Sequence, residues 1–555
     1  MPGPLPSPPA RRWTARWPVL LVLLVAVPPL YGLWRIQGAP MEEGFMLVFP
    51  EMVLEGQVPN RDFLHLYGPG SLWVLAAVYA VFGVSLEVQR VVGLLQHLLI
   101  GLGVARLLRP WGPVVSAGGG AIAVLIIITP SGLSAMAWVG GVGLATWAVA
   151  MAVEGLEADP GSRIRDRRLV AAGLLIGAAL LYRLDLVLAL GLPALVVLVA
   201  LDPRGRIRLL VATAVGCSPY LIHLAVAGPG DAIRGLLIEP VFELRGGRHL
   251  PLPPSTDRYD GFLQGAGALD QPPWPLPAPS GPRQLWLWCF ALAAVGLVLL
   301  AAGIVRARRD GGRRMLAIAL FAVGLFPQAF QRPDSTHLAW VSCVAFAVLP
   351  AAVLELWPER SGGPRVRVRP ALAVAAPVAL LLVVAPYFTF RSYAEATAQS
   401  FGRRLIEGTI EHHGRRFPYK RPDAVAAVNE MLPVVDRLTE PGDRLIVGPG
   451  DLRLTPYSEA FLYYLLPDLE VGTRYVEMDP GVANAPDSGL ADELRAADVV
   501  ILSTIRDDWN EPNDSRVLGP DEPNEVLREE FCLVDQYGDG PFDPERGLYE
   551  LYLRC

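Results

Sequence analysis

Four short stretches of this 555-residue chain put reactive side chains into otherwise apolar surroundings. Glu42 and Glu43 stand in PMEEGF. Arg61, Asp62, His65 and Tyr67 stand in PNRDFLHLYGPG, Arg183 and Asp185 in LYRLDLV, and Arg332, Asp334 and His337 in QRPDSTHL. A carboxylate held against a hydroxyl can take its proton as a general base. Arginine suits a phosphate leaving group, because its guanidinium fork presents fixed donors and keeps its charge. Each stretch also has a structural reading. Arg183 with Asp185 reads as an ion pair near an interface, and Arg332, Asp334 and His337 read as a loop that satisfies itself. Asp62 reads as a turn cap or a partner of Arg61, and Glu42 and Glu43 as solvated loop carboxylates. Four such stretches on one face point instead to a cleft for a polar, anionic ligand, since ionisable groups at membrane depth are usually paired or functional.

The elements that must position these residues are mostly membrane spans. The chain is 52% hydrophobic and 18% charged, too apolar for an ordinary soluble protein of several domains. Its charge is split: the first 390 residues hold 22 acids and 31 bases, and the remainder holds 32 acids and 17 bases. No basic patch is interleaved with aromatic residues, so no nucleic-acid partner is indicated. Lys420 is the one lysine, and with 55 Gly and 52 Pro this composition suggests a GC-rich, bacterial source.

The basic residues of the front cluster between apolar runs, a topology signal. Residues 1–17 read as a cytoplasmic tail carrying Arg11, Arg12 and Arg16, and the run 18–34 as a retained first span. The stretch 70–83 is too short to cross a bilayer, which takes about 20 residues. Placed as a juxtamembrane helix within a first external loop over 35–86, it lets the RLLR cluster at 106–109 fall inside. Further spans follow near 87–105, 113–129, 132–153, 168–182, 184–201, 209–226, 284–304, 315–329, 337–356 and 371–389. The loops SRIRDRRL, DPRGRIR, RARRDGGRR and PRVRVRP then become cytoplasmic. The expected fold is a polytopic α-helical membrane protein of about 11 transmembrane helices over 18–389, with a long external loop over 227–283 and a C-terminal soluble α/β domain over 390–555. Its N-terminus lies inside and its C-terminal domain outside the cytoplasm of an inner or plasma membrane. Within the long loop, DAIRGLLIEPVFEL reads as helical.

In the C-terminal part, PDAVAAVNEMLPVVDRL and SEAFLYYLL read as helices, and DRLIVGP, LEVGTRYVEM and DVVILS as strands. The GPG at 448–450 reads as a strand-ending turn in preference to a phosphate loop, because GxGxxG is missing. Cys217, Cys289 and Cys343 read as small core hydrophobes. Cys532 and Cys555 flank two strand-like runs, and a hairpin between those runs would allow a disulfide.

Residues 40–92 resemble the first external loop of the GT-C glycosyltransferases, closest to the lipid-A aminoarabinose transferase and protein O-mannosyltransferase group. Those relatives carry an acidic pair after the first span, then a G-x-x-P-x-x-D-F stretch. A juxtamembrane helix ending in Phe-Gly and an arginine opening the next span follow. Here the matching residues are Gly56, Pro59, Asp62, Phe63, Phe82, Gly83 and Arg90. The R-x-D-x-x-H stretch at 332–337 also looks like that of actinobacterial-type members. The resemblance implies inverting transfer of a sugar from a polyprenyl-phosphate donor to a glycan, lipid or protein hydroxyl in the cell envelope. It implies Glu42 as the base with Glu43 as its neighbour, and membrane lipid as a partner. Arg61, Asp62, His65, Tyr67, Arg183, Asp185, Arg332, Asp334 and His337 are the candidate substrate-binding residues. Arg183, Arg332 and His337 are assigned to the donor phosphate on charge and position.

Two features depart from that pattern. The first acid of the pair is normally Asp, so Glu42 reaches one methylene further. The stretch TPSGLSAMAW lacks the acidic residues that some members carry, so no metal or other cofactor is predicted. The alternatives are a transporter or flippase, which would place ionisable groups near the midplane and show repeated halves, and a non-catalytic relative of the same fold.

Overall fold

The structure is a computed structural model that describes residues 16–36, 38–261, 264, 281–357, 369–403, 408–543 and 545–555. Arg11, Arg12 and most of PRVRVRP lie outside those residues. The apolar runs all form helix. Helix α1 spans Trp17–Arg35, α2 Pro40–Leu54, α3 Gly70–Phe82 and α4 Leu86–Leu107. Among the described residues, seven helices are long and apolar enough to cross a membrane, and the bent pair Arg369–Val384 with Thr389–Ser400 makes an eighth candidate. The helices near 113–128 and 184–200 are apolar but shorter, and the helix Arg163–Tyr182 begins with four arginines in six residues. Among the described residues, then, fewer than the expected eleven helices meet both length and composition, and three shorter apolar helices accompany them.

One end of the helical bundle is tied together by arginines. Arg106 forks onto Glu154 at 2.8 and 2.9 Å, Arg168 reaches the same carboxylate, and Arg314 pairs with Glu157. Arg165 pairs with Asp202, and Arg208 with Asp166. These arginines come from the four loops RLLR, SRIRDRRL, DPRGRIR and RARRDGGRR, so those loops share one end. The other end carries α2, α3 and the C-terminal domain.

Helix α3 does not run through the bundle. It lies on α2, with the Tyr79 hydroxyl donating to the Met46 carbonyl at 2.9 Å. Its end is set by Gly83 at φ +82°, a conformation that suits glycine.

The C-terminal domain is a five-stranded sheet in the order β4-β3-β5-β7-β6, with a separate two-stranded hairpin. The hairpin strands are β1 (Gly408–His412) and β2 (Arg415–Tyr419). In the sheet, β3 (Arg444–Pro449), β4 (Glu470–Val471) and β5 (Val499–Ser503) run parallel. Strands β6 (Phe531–Asp539) and β7 (Gly547–Arg554) pair antiparallel, and β7 also runs antiparallel to β5. Cys532 and Cys555 are joined by a disulfide across that hairpin. Of the GPG at 448–450, Gly448 and Pro449 are the last two residues of β3 and Gly450 bends the chain out of the strand. In LEVGTRYVEM only Glu470 and Val471 form strand, since the chain then turns away to contact Leu64 and Glu239 through Arg474.

Strand alternation sends apolar side chains to both faces of the sheet. Leu445, Val447, Val499 and Ile501 join a core that also contains Phe45, Phe49, Leu72 and Leu75. Ile446, Val500 and Leu502 join a second core with Leu64, Leu66 and Leu244. Residues of the first loop are therefore part of the interior of the C-terminal domain on both faces. The close approach explains the glycine after the acidic pair, since a side chain at Gly44 would meet the Phe461 backbone nitrogen at 2.8 Å. The domain division at residue 390 also shifts. The helix Ser392–Ser400 packs on α1, with Tyr393 donating to the Val25 carbonyl and Gly32 donating to Ser400 Oγ, so the α/β unit starts at the hairpin.

Candidate active site

Glu42 and Glu43 lie in the first turn of α2, where the helix N-terminus favours negative charge. Being adjacent in a helix, they point about 100° apart and meet different surroundings. Glu43 is fully buried and accepts a fork from Arg90 at 2.7 and 2.8 Å, and Arg90 is 2% exposed. The same guanidinium donates to the Trp34 and Ile36 carbonyls, closing the end of α1 onto α2 and α4. Glu43 is thus the ion-pair partner of Arg90 and does not line the cavity that Glu42 enters.

Glu42 faces the other way, into a cavity of about 130 Å³. Burial raises its pKa above the ordinary carboxylate range, with its own backbone N–H, Arg506 and Arg332 partly opposing the shift. The cavity wall includes Trp138, Trp340, Tyr457 and Glu477. Trp138 and Trp340 stack with ring centroids 5.8 Å apart, and the buried Trp138 Nε1 has no hydrogen-bond partner among the described residues. Glu477 is pushed well above the usual carboxylate range by burial and by Asp479 beside it.

A second cavity of about 640 Å³ adjoins the first, and both are bounded by Tyr67, Arg183, Arg248, Arg332 and His337. Its other wall is apolar, with Leu236, Leu237, Val241 and Phe330. The Arg183 guanidinium stacks over Tyr67 at 4.0 Å and is forked by Asp185 at 2.9 and 2.6 Å. Arg248 pairs with Asp479 and lies 3.5 Å from Glu477. Arg332 is the most loosely held, 3.3 Å from Asp334 and 3.4 Å from the Tyr457 hydroxyl, against about 2.7–2.9 Å for a tight charged pair. Asp334 caps the helix Ser335–Leu356 by accepting from the His337 N–H at 2.9 Å, and it also holds the His337 ring. The backbone is strained here: Tyr457 has φ +132° and Met478, next to Glu477, has φ +53°. Non-glycine residues hold such conformations only where the surroundings enforce them, which happens often at functional sites.

Of the sequence candidates, Glu42, Tyr67, Arg183, Asp185, Arg332, Asp334 and His337 come together on these two cavities. Arg61 and Asp62 do not. Arg61 is 43% exposed and forks onto Asp62, which also accepts from the Val58 N–H to close the turn. His65 is buried behind the wall, packed edge-on between Phe49 and Tyr67. The structure places these three, with Glu43, outside the lining of both cavities, each held by the contacts just described. Sequence reasoning passed over Trp138, Arg248, Tyr457, Glu477 and Arg506. One signal was available for Arg506: ligands collect beyond the carboxyl ends of parallel strands, and Arg506 follows the end of β5 by three residues.

Crystal structures of ArnT from Cupriavidus metallidurans match nearly the whole chain. The apo form covers 97% of this chain and 98% of its own, with a TM-score of 0.52 at 17% identity. The form bound to undecaprenyl phosphate covers 96% and 98%, with a TM-score of 0.51 at 17% identity. The chain shares the fold of these two structures. The archaeal oligosaccharyltransferase AglB from Archaeoglobus fulgidus aligns more loosely, with a TM-score of 0.46 at 12% identity over 89% of this chain and 70% of its own. No protein-family model and no curated protein sequence matches. In this fold, the acid after the first span and the arginines at later span ends come from chain segments far apart in sequence, and Tyr457 and Glu477 of the C-terminal domain complete their enclosure.

Proposed function

We propose that this protein is an integral-membrane glycosyltransferase that moves a sugar from a polyprenyl-phosphate donor to a hydroxyl of a cell-envelope acceptor. The reading rests on one observation: Glu42 shares a small, aromatic-walled cavity with Arg183, Arg248 and Arg332, and those arginines also border a larger cavity with an apolar wall. The likeness to an ArnT structure holding undecaprenyl phosphate supports a lipid phosphate as the donor's carrier.

In this scheme the lipid chain lies along Leu236, Leu237, Val241 and Phe330, and its phosphate meets the arginines. The sugar occupies the small cavity, against Trp138 and Trp340, with the free indole N–H available to a sugar hydroxyl. Glu42 takes the proton from the acceptor hydroxyl as its oxygen attacks the anomeric carbon. The bond from that carbon to the phosphate oxygen breaks, and the departing phosphate carries the negative charge toward the guanidinium groups. A single displacement of this kind inverts the anomeric centre. The raised pKa of Glu42 suits it to this task, because a base is most effective when its pKa lies near the working pH. Tyr67 and Asp185 orient Arg183, and Asp334 orients Arg332 and His337. The site faces the extracytoplasmic side, with the arginine-tied end of the bundle in the cytoplasm.

The test is transfer of radiolabelled sugar from polyprenyl-phosphate donors to an envelope acceptor by the purified protein. Glu42→Gln should abolish transfer while the protein stays folded. Unchanged transfer by that variant would remove Glu42 as the base. Reporter fusions that place the C-terminal domain in the cytoplasm would overturn the orientation.

A further inference from the structure

Among the described residues, the one group of three side chains with metal-ligand spacing does not border Glu42. It lies at the tip of the hairpin β1–β2, where His412 and His413 meet Asp436 of the helix Pro422–Leu438. The register pairs His412 with Arg415 and leaves His413 and Gly414 as a two-residue turn. Both turn residues have positive φ, +48° and +72°. Turns of this kind favour Asn-Gly or Asp-Gly, so histidine is an unusual choice at the first position. The turn holds the two imidazoles at right angles, with centroids 4.3 Å apart. His412 lies on the same strand face as the buried Ile410, which turns its ring toward the helix that carries Asp436.

The ligand atoms already converge. His412 Nε2 and His413 Nε2 lie 3.0 and 3.1 Å from the same oxygen, Asp436 Oδ2. In a tetrahedral zinc site with bonds of about 2.0–2.1 Å, neighbouring ligand atoms stand about 3.3 Å apart. All three ligand atoms lie within 4.8 Å of one another, so small side-chain rotations bring them to that spacing. The second ring nitrogen of His413 faces Asp468 Oδ2 at 3.9 Å. Metal-bound histidines regularly direct their other N–H to a carboxylate, which fixes the ring and strengthens the donor. Two imidazoles and a carboxylate select a first-row transition ion over calcium or magnesium, which prefer oxygen donors.

We infer that His412, His413 and Asp436 form a zinc site on the C-terminal domain, with water in the fourth position and Asp468 steadying His413. The residues that follow the turn, Arg415 and Arg416, pair with Glu51 of α2 and Glu87 of α4. A cation at the tip thus fastens to the helix Pro422–Leu438 the same hairpin that docks the C-terminal domain onto the helices around Glu42. The expectation of no metal, drawn from the stretch TPSGLSAMAW, does not extend to this hairpin.

The experiment uses full-length protein in detergent, purified through a tag without histidine, stripped with chelator and desalted. After incubation with Zn²⁺ and a second desalting, elemental analysis should find one zinc per chain, and the apparent Tm should rise on zinc addition. His412→Ala/His413→Ala should lose both responses, and Asp436→Asn should weaken zinc binding at least tenfold. Co²⁺ added to the unmutated protein provides a readout that needs no variant, since a four-coordinate site gives the intense visible bands that hexaaquo cobalt lacks. Sub-stoichiometric zinc, zinc retained equally by the double variant, or a cobalt spectrum of the hydrated ion would each overturn the inference. None of these measurements depends on sugar transfer, so they stand apart from the test of the proposed function.

Discussion

Replacing the two neighbouring glutamates one at a time should give opposite results. Glu43→Ala leaves Arg90 as an uncompensated buried cation, and breaking a buried ion pair in this way costs about 3–5 kcal/mol. Arg90 cannot swing out to water without abandoning the Trp34 and Ile36 carbonyls, which places the cost toward the top of that range. The double variant Glu43→Leu/Arg90→Met removes both charges but leaves those carbonyls without a donor, so it should recover only part of the loss. Glu42→Gln should behave differently. Loss of a general base typically slows the reaction about 10²–10⁴-fold, or about 2.7–5.5 kcal/mol in the barrier. Its stability effect has the other sign. The folded pKa of Glu42 is raised, so its favourable contribution is complete below the unfolded carboxylate value near 4.5 and is lost as pH rises through the folded value. At pH 8 the glutamine variant should therefore unfold at a higher temperature than the unmutated protein, and the gap should close toward pH 4.5. Thermal unfolding in detergent at both pH values, beside the transfer assay, separates the two residues. A stable, active Glu43→Ala together with a Glu42→Gln variant that melts lower at pH 8 would refute the assignment of the pair.

Arg332→Met should raise KM for the polyprenyl-phosphate donor by tenfold or more, with little change in apparent Tm, because its present partners hold it at 3.3 Å or longer. Donor-dependence curves check this. Gly44→Val should separate α2 from the segment around Phe461, seen as faster proteolysis between the C-terminal domain and the bundle. Cys532→Ser/Cys555→Ser should destabilise the C-terminal domain by about 3 kcal/mol on chain-entropy grounds for a separation of 23 residues, read as a lower denaturation midpoint under non-reducing conditions. The unmutated protein under reducing agent should match it.

The bundle was legible because apolar run lengths and arginine clusters follow directly from the cost of burying charge in a bilayer. The placement of 70–83 as a juxtamembrane helix came from the same argument; that it packs on α2 did not. What the sequence did not separate was the pair at 42 and 43, since neighbouring residues of the same type carry no label for the direction each will face. That direction was set by Arg90, 47 positions away. Arg61 and Asp62 look chemically promising in isolation, yet they satisfy each other at an exposed turn, as their structural reading had it. The residues missed, among them Arg248, Glu477 and Arg506, reach the site only through tertiary packing. Trp138 stood in a stretch noted only for what it lacked. The pairing of β6 with β7 was readable from two short apolar runs, whereas the hairpin β1–β2 was not, because its strands are rich in charge and bear the docking arginines.

The sharing of an interior between α2 and the sheet has a consequence for biosynthesis. Helix α2 leaves the ribosome early, yet Phe417, Phe461 and Val499, against which its apolar face rests, are made only in the last third of the chain. At about 5–20 residues per second, roughly 400 residues of synthesis keep that face without its partner for about 20–80 seconds. During that interval the face has to rest on lipid, on a chaperone or on the translocation machinery. A message truncated before Glu477 would yield a membrane-inserted chain whose cavity beside Glu42 stays open, so assembly itself withholds the finished pocket until translation is nearly complete.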